Sequence, residues 1–136
     1  MRQVIAEIGV NHNNSKKILT ELIEKSALAG VHYVKFQRFI ASDEIASTAA
    51  LAEYQRNGSK DQNQLEMARK LEMSDELLKY GITMCNKIGV KPMCSAFELK
   101  SLIYLKKELK FEELKIPSPE ITNIPYLKLA AKLYQK

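Results

Sequence analysis

Tryptophan is absent from this 136-residue sequence, and cysteine, proline and glycine are sparse, at 2, 4 and 5 residues. So little glycine and proline excludes a fibrous or low-complexity chain. The two thiols, Cys85 and Cys94, cannot build a disulfide framework, and their spacing fits no zinc or redox motif, so both read as reduced core residues. No apolar run approaches the roughly 20 residues that cross a bilayer. The first such run, Val4–Val10, is broken by Glu7, which spoils it as a signal-peptide core. A cytoplasmic protein with no membrane partner is expected. GxGxxG, GxxxxGK[ST] and GxSxG are missing too, which removes the commonest dinucleotide, P-loop and hydrolase readings. His12 and His32 fall at opposite strand ends, and no Cys/His/Asp cluster has metal spacing, so no metal ligand is expected within the chain.

What is present is 46% hydrophobic and 27% charged residues, the balance of a soluble globular chain of one-domain length. The net charge of +5 arises from 21 basic against 16 acidic residues. Many lysines, such as Lys106, Lys107 and Lys110, fall in helix-like stretches and read as a solvated face. With no Arg-rich tract and no aromatic–basic interleaving, nucleic acid is not an expected partner.

Four β-rich runs recur, each followed by a helical pattern. Gln3–Val10 precedes Ser15–Ala29, with Ser15 as N-cap and Gly30 as stop. His32–Phe39 leads into a long segment, Ile40–Lys60, too long for a simple connector and readable as a lid or an insertion. Helical patterns follow at Gln64–Leu71 and at Ser74–Ile88, the latter opened by Ser74-Asp75-Glu76 and closed by Gly89. Lys91–Phe97 precedes Glu98–Leu109. Leu114–Pro117 leads through Ser118-Pro119-Glu120 to an amphipathic stretch, Ile124–Tyr134. Such alternation calls for a parallel α/β sheet with right-handed crossovers.

Parity within the runs is the most informative detail. Ala6, Ile8, Val34, Phe36, Cys94, Leu114 and Ile116 share apolar faces suited to a helix layer. Glu7, Lys35, Gln37, Ser95 and Lys115 lie on the opposite faces, toward the carboxyl ends. A doubly covered parallel sheet is nearly all apolar, and ionisable groups on a covered face need partners. If the sheet curls toward a barrel, these side chains converge where such enzymes keep their chemistry. Lys35 and Lys115 could then clamp one small dianion, with hydrogen bonds from Ser95 and Ser118, while Glu7 and Glu120 orient hydroxyls or move protons. The structural alternative is a Lys35–Glu7 ion pair that satisfies two strands. Asn11-His12-Asn13-Asn14 could touch a ligand or serve as turn residues.

These pieces together resemble the sialic acid synthase family, which includes N-acetylneuraminate, legionaminate and pseudaminate synthases. The resemblance is carried by Ile5-Ala6-Glu7-Ile8-Gly9-Val10-Asn11-His12-Asn13, Val34-Lys35-Phe36-Gln37, Ala52-Glu53-Tyr54-Gln55, Gln64-Leu65-Glu66-Met67, Leu114-Lys115-Ile116 with Ser118 and Glu120, and Ile121-Thr122-Asn123-Ile124-Pro125. It implies the first four βα units of a TIM-type (β/α)8 barrel. It also implies condensation of phosphoenolpyruvate with N-acetylmannosamine or a related amino sugar, with release of phosphate, a transferase reaction that forms a C–C bond. Lys35, Lys115 and Ser118 then look like phosphoenolpyruvate ligands, and Ser95 stands where the family usually has Thr. Gln37 and Glu120 look like sugar-side or proton-handling residues, Glu7 like a polar group at the barrel mouth, and Asn11 like a substrate-side amide. Pro117 and Pro119 replace small residues and remove two backbone donors, so anion contacts there fall to the Lys115 and Ser118 side chains. The family further implies a divalent metal, Mn or Mg, with ligands outside this chain, and a homodimer of the full-length enzyme. A barrel of this type needs roughly 250 residues. Residues 1–136 are therefore expected to be its amino-terminal part, without the second half-barrel or the antifreeze-like domain, and inactive alone. Rival expectations are another phosphoenolpyruvate-condensing or aldolase-type barrel, and a non-catalytic half-barrel assembly module.

Overall fold

In a computed structural model, residues 2–46, 49–50 and 63–134 are described. Three parallel strands, β1 (Ile5–Gly9), β2 (Tyr33–Arg38) and β3 (Lys91–Ala96), form one sheet in the order β1-β2-β3. Helix α1 (Lys16–Leu28) follows β1. A short α2 (Ala41–Glu44), then α3 (Gln64–Leu71) and α4 (Asp75–Ile88), follow β2. Helix α5 (Leu99–Lys107) follows β3, and a 3-10 turn (Ser118–Thr122) and α6 (Ile124–Leu133) close the described chain.

Side-chain caps set these boundaries. Ser15 and Ser74 accept hydrogen bonds from the Ile18 and Leu77 amides, and Asn63, Glu98 and Asn123 do the same for α3, α5 and α6. Helix α4 also has Asp75 and Glu76 in its first turn and ends at Gly89, whose φ of +89° is left-handed and favours glycine.

The register places Glu7 opposite Lys35, Lys35 opposite Met93, and Gln37 opposite Ser95. The other face belongs to the core. Ile8, Val34, Phe36, Cys94 and Ala96 pack there with Leu19 and Ile23 of α1, Leu78 and Cys85 of α4, Leu102 and Leu105 of α5, and Tyr126 of α6. One sheet face thus takes the helix layer and the other keeps the polar residues, as parity requires.

Leu114–Pro117 is not a fourth strand, contrary to the sequence expectation. Leu114 and Ile116 do pack against the core. The segment has no strand pairing, however, and Pro117 and Pro119 supply no N–H to a ladder. Of the Ile40–Lys60 segment, residues 47–48 and 51–60 lie outside the described residues, as does Ala52-Glu53-Tyr54-Gln55. What precedes them is the α2 helix.

Candidate active site at the carboxyl ends of the strands

Lys35 is the centre of a polar group on the sheet face turned away from the core helices. Its side chain projects from mid-β2 and is only 8% exposed. An unpaired ammonium at that depth would be costly. Glu7 on β1 forms an ion pair with it, and Lys35 Nζ donates to Ser95 Oγ at 3.3 Å. Gln37 Nε2 donates to Glu7 Oε1 at 3.3 Å, so four side chains from three strands form one connected chain of contacts. Ser95 is buried, whereas the Glu7 side chain is 48% exposed and opens the group to solvent.

Gly9 lets this group close up. The β1–β2 pairing slips between Glu7 and Gly9, and Gly9 has φ +56°. A Cβ there would lie 3.0 Å from Glu7 Oε1 and 3.2 Å from Gln37 Nε2. Only glycine supplies both the left-handed turn and the clearance. Behind Lys35, on the core face, burial pushes the Cys94 thiol up to about 12, which leaves it protonated and inert.

A second group stands just beyond the ends of β2 and β3. A cavity of about 410 Å³ is lined by Asp43 and Glu44 of α2, by Phe97, Glu98, Leu99 and Lys100 after β3, and by Glu120 and Asn123. Glu120 is 8% exposed, and its Oε2 accepts from Asn123 Nδ2 at 2.6 Å. The Tyr126 hydroxyl donates to the Ala96 carbonyl at 2.7 Å, tying the start of α6 to the carboxyl end of β3. Burial raises the Glu44 pKa, and the nearby Glu120 and Glu98 carboxylates raise it further.

The structure therefore brings Glu7, Lys35, Gln37 and Ser95 together and sets Glu120 in the neighbouring cavity. Lys115 is half-buried in the irregular segment before the 3-10 turn, and Ser118 is exposed at that turn's first position. Asn11 is exposed, its backbone N–H donating to the Ile8 carbonyl at 3.0 Å. No side-chain hydrogen bond or ion pair joins Lys115, Ser118 or Asn11 to either group among the described residues.

Sequence reasoning missed Glu44 and Asn123 as cavity residues, and it missed the role of His12. The His12 ring is fully buried, and Nδ1 accepts the Asn14 amide at 3.0 Å. Burial lowers its pKa, opposed by the Gly9 carbonyl. Asn14, at φ +56°, donates through Nδ2 to the Lys70 carbonyl at 2.8 Å and the Glu72 carbonyl at 3.0 Å. Glu72 in turn accepts the Ala41 amide at 2.9 Å. The loop after β1 is thus bonded to the far end of the excursion after β2, and Glu72 links that end to the near one. The signal was the His-Asn-Asn run itself, since asparagine tolerates a left-handed backbone, and the turn alternative given for this loop matches the φ of Asn13 and Asn14.

No grouping of three or more His, Cys, Asp or Glu that could hold a metal ion occurs among the described residues. These residues therefore offer the implied divalent metal no ligand set. No helix among them is long and apolar enough to cross a membrane.

A model of the NeuB family matches residues 22–136. The chain belongs to the NeuB family. It is 42% identical to the N,N'-diacetyllegionaminic acid synthase of Campylobacter jejuni, over 98% of this chain and 40% of that protein. It is 39% identical to the enzyme of the same name from Legionella pneumophila, over 94% of this chain and 36% of that one. The N-acetylneuraminic acid synthetase of Leptospira borgpetersenii, solved with citrate, superimposes with a TM-score of 0.78 at 23% identity, covering 95% of this chain and 40% of that one. The fold is thus the parallel α/β arrangement of the NeuB-family barrel enzymes, and the chain is a partial domain. It spans about 40% of the length of the relatives it matches.

Proposed function

We propose that this chain supplies the phosphoenolpyruvate side of a nonulosonic acid synthase, which condenses phosphoenolpyruvate with N-acetylmannosamine or a related amino sugar and releases phosphate. The observation that carries this reading is the buried Lys35 ammonium, held by Glu7 and Ser95 across three parallel strands of a NeuB-family chain. In the resting group Glu7 balances Lys35. An arriving phosphate or carboxylate takes over that role, while Ser95 donates to it. Lys115 and Ser118 are assigned to the same anion from the flank, and Asn11 to the substrate-side loop.

Fixed in this way, C3 of phosphoenolpyruvate attacks the aldehyde carbon of the open-chain sugar. The new C–C bond leaves an alkoxide, which takes a proton from Glu120. Gln37 orients the sugar from the strand side. Water adds to C2 of the resulting cation and gives up a proton that restores Glu120, and the tetrahedral intermediate collapses to the C2 ketone as phosphate leaves, so phosphoenolpyruvate, sugar and water give nonulosonate and phosphate. The divalent metal implied by the family would polarise the aldehyde. No step here is routed through it. The full-length enzyme is assigned as a homodimer.

The test is a titration of isotopically labelled chain with phosphoenolpyruvate, followed by nuclear magnetic resonance. Binding should move the Lys35 and Ser95 amides, and Lys35→Gln should weaken it at least tenfold, the loss of one charge-assisted contact of about 1.5–3 kcal/mol. Unmoved amides in the native chain, or unchanged affinity in the variant, would refute the reading.

A further inference from the structure

Helices α2 and α3 pack chiefly on each other. They share a small core of their own, Ala41, Leu65 and Ala68, with Phe39 and Ile45 packed against it. Among the described residues, no side chain of either helix belongs to the large core. Both exits from the pair return to firm structure. Arg38 ends β2 with its guanidinium paired to Asp75 and 4.1 Å above the Tyr104 ring. Met73, just after α3, is buried in the large core. The exits are also closed on each other, because Glu72 Oε2 accepts the Ala41 amide at 2.9 Å. A body with its own core, clamped across its base between two anchored ends, is built to move as one piece. What holds it to the rest is polar or marginal. Asp43 meets Lys100 at 2.6 Å, but the lysine side chain is 73% exposed, and a surface pair of that kind contributes little. The Phe39 and Phe97 rings touch edge to face, 6.1 Å between centres. The tie to the β1 loop consists of the two hydrogen bonds from Asn14 Nδ2 to the Lys70 and Glu72 carbonyls. A cavity of about 510 Å³, lined by Asn14, Glu72, Ser74 and Tyr80 among others, lies beside that tie, so it has no packing over it on that side.

We propose that α2 and α3 form one hinged wall of the site, which opens as a unit about Arg38–Phe39 and Glu72–Met73 while the sheet stays folded, and that Asn14 sets how often it opens. Helix α2 carries Asp43 and Glu44 on the cavity beyond β2 and β3, so the movement takes that side of the cavity away. Glu7, Lys35, Gln37 and Ser95 belong to the sheet strands and stay in place. The opening is a property of the ligand-free chain and holds whichever ligand the Lys35 group takes. Asn14 acts through its side chain, because its left-handed φ of +56° is one that glycine adopts equally readily.

Native-state hydrogen exchange in rising urea, below the global transition, tests this. The Ile45 and Glu72 amides, bonded to the Ala41 and Ala68 carbonyls, report on α2 and α3. The Phe36 and Cys85 amides, at fully buried positions of β2 and α4, report on the main body. Ile45 and Glu72 should exchange well before Phe36 and Cys85 and should converge on one opening with a shared urea dependence. Asn14→Gly keeps the turn and removes the donor. It should speed both α2 and α3 probes about tenfold, the loss of two hydrogen bonds, and leave Phe36 and Cys85 unchanged. Glu72→Ala parts the base and should separate the two probes, with Ile45 the faster. Glu72→Gln, whose amide oxygen still accepts, should bring them back together. Exchange of Ile45 and Glu72 only with the global transition, or separate urea dependences for them, would overturn the proposal from the native chain alone. So would an unchanged rate for either in Asn14→Gly, equal acceleration of Phe36 and Cys85 there, or probes that stay together in Glu72→Ala.

Discussion

At the scale of single residues, Gly9 and His12 do the most to shape the Lys35 group. Gly9→Ala places a methyl group 3.0 Å from the Glu7 carboxylate at a φ of +56°. The substitution should destabilise the chain by about 1–3 kcal/mol, the cost of a strained left-handed alanine, as read from urea unfolding. His12 titrates in a direction that can be worked out. Its native pKa lies below the ordinary 6.5 because burial disfavours the charged ring. Below that ordinary value the unfolded chain takes up a proton that the folded chain refuses, so unfolding gains free energy as the pH falls. The His12 contribution is complete above about pH 6.5 and is lost as the pH drops toward the lowered native value. Urea midpoints should therefore decline between pH 7 and pH 5 more steeply in the native chain than in His12→Gln. Equal slopes would show that His12 is not the group responsible.

At the scale of elements, α4 packs tightly against the sheet at Gly81. A Cβ there would meet the Phe36 ring at 3.1 Å and Leu19 at 3.5 Å, and both side chains are fully buried. Alanine normally gains about 0.5–1 kcal/mol over glycine within a helix, but overpacking against an immobile ring costs about 1–3 kcal/mol. Gly81→Ala should accordingly lower the thermal midpoint; a rise would mean that Phe36 can give way. What could be read from the sequence also divides by element. Ser15, Ser74 and Gly89 announced helix limits because capping is local chemistry. Strand parity announced the sheet faces because an alternating strand has only two sides. Leu114–Pro117 shows the same parity, but pairing depends on a neighbouring strand and on N–H donors that prolines lack, neither of which a short window reveals. Lys35, Glu7, Gln37 and Ser95 were legible as one group for the same reason as the sheet. The cavity walls at Glu44 and Asn123 were not, because they meet only after segments from different strands have packed.

At the scale of the whole molecule, the two thiols report on the integrity of the core. Cys85 and Cys94 are both buried, and burial pushes each up to about 12. At pH 8 a thiol-reactive dye should label neither in the native state, and both should become reactive together across the urea transition. Rapid labelling of one thiol without denaturant would reveal that its side of the core opens independently. Helices α1, α4, α5 and α6 share one face of the sheet, so this single transition should also carry the Lys35 group with it.

The reach of Asn14 has a consequence for how the protein is made. The two carbonyls that it holds belong to residues 56 and 58 positions further along the chain. During synthesis the hook is therefore in place long before there is anything to latch. The turn at His12–Asn14 can close on its own local hydrogen bonds at once, but it gains these two long-range ones only after Glu72 has left the ribosome.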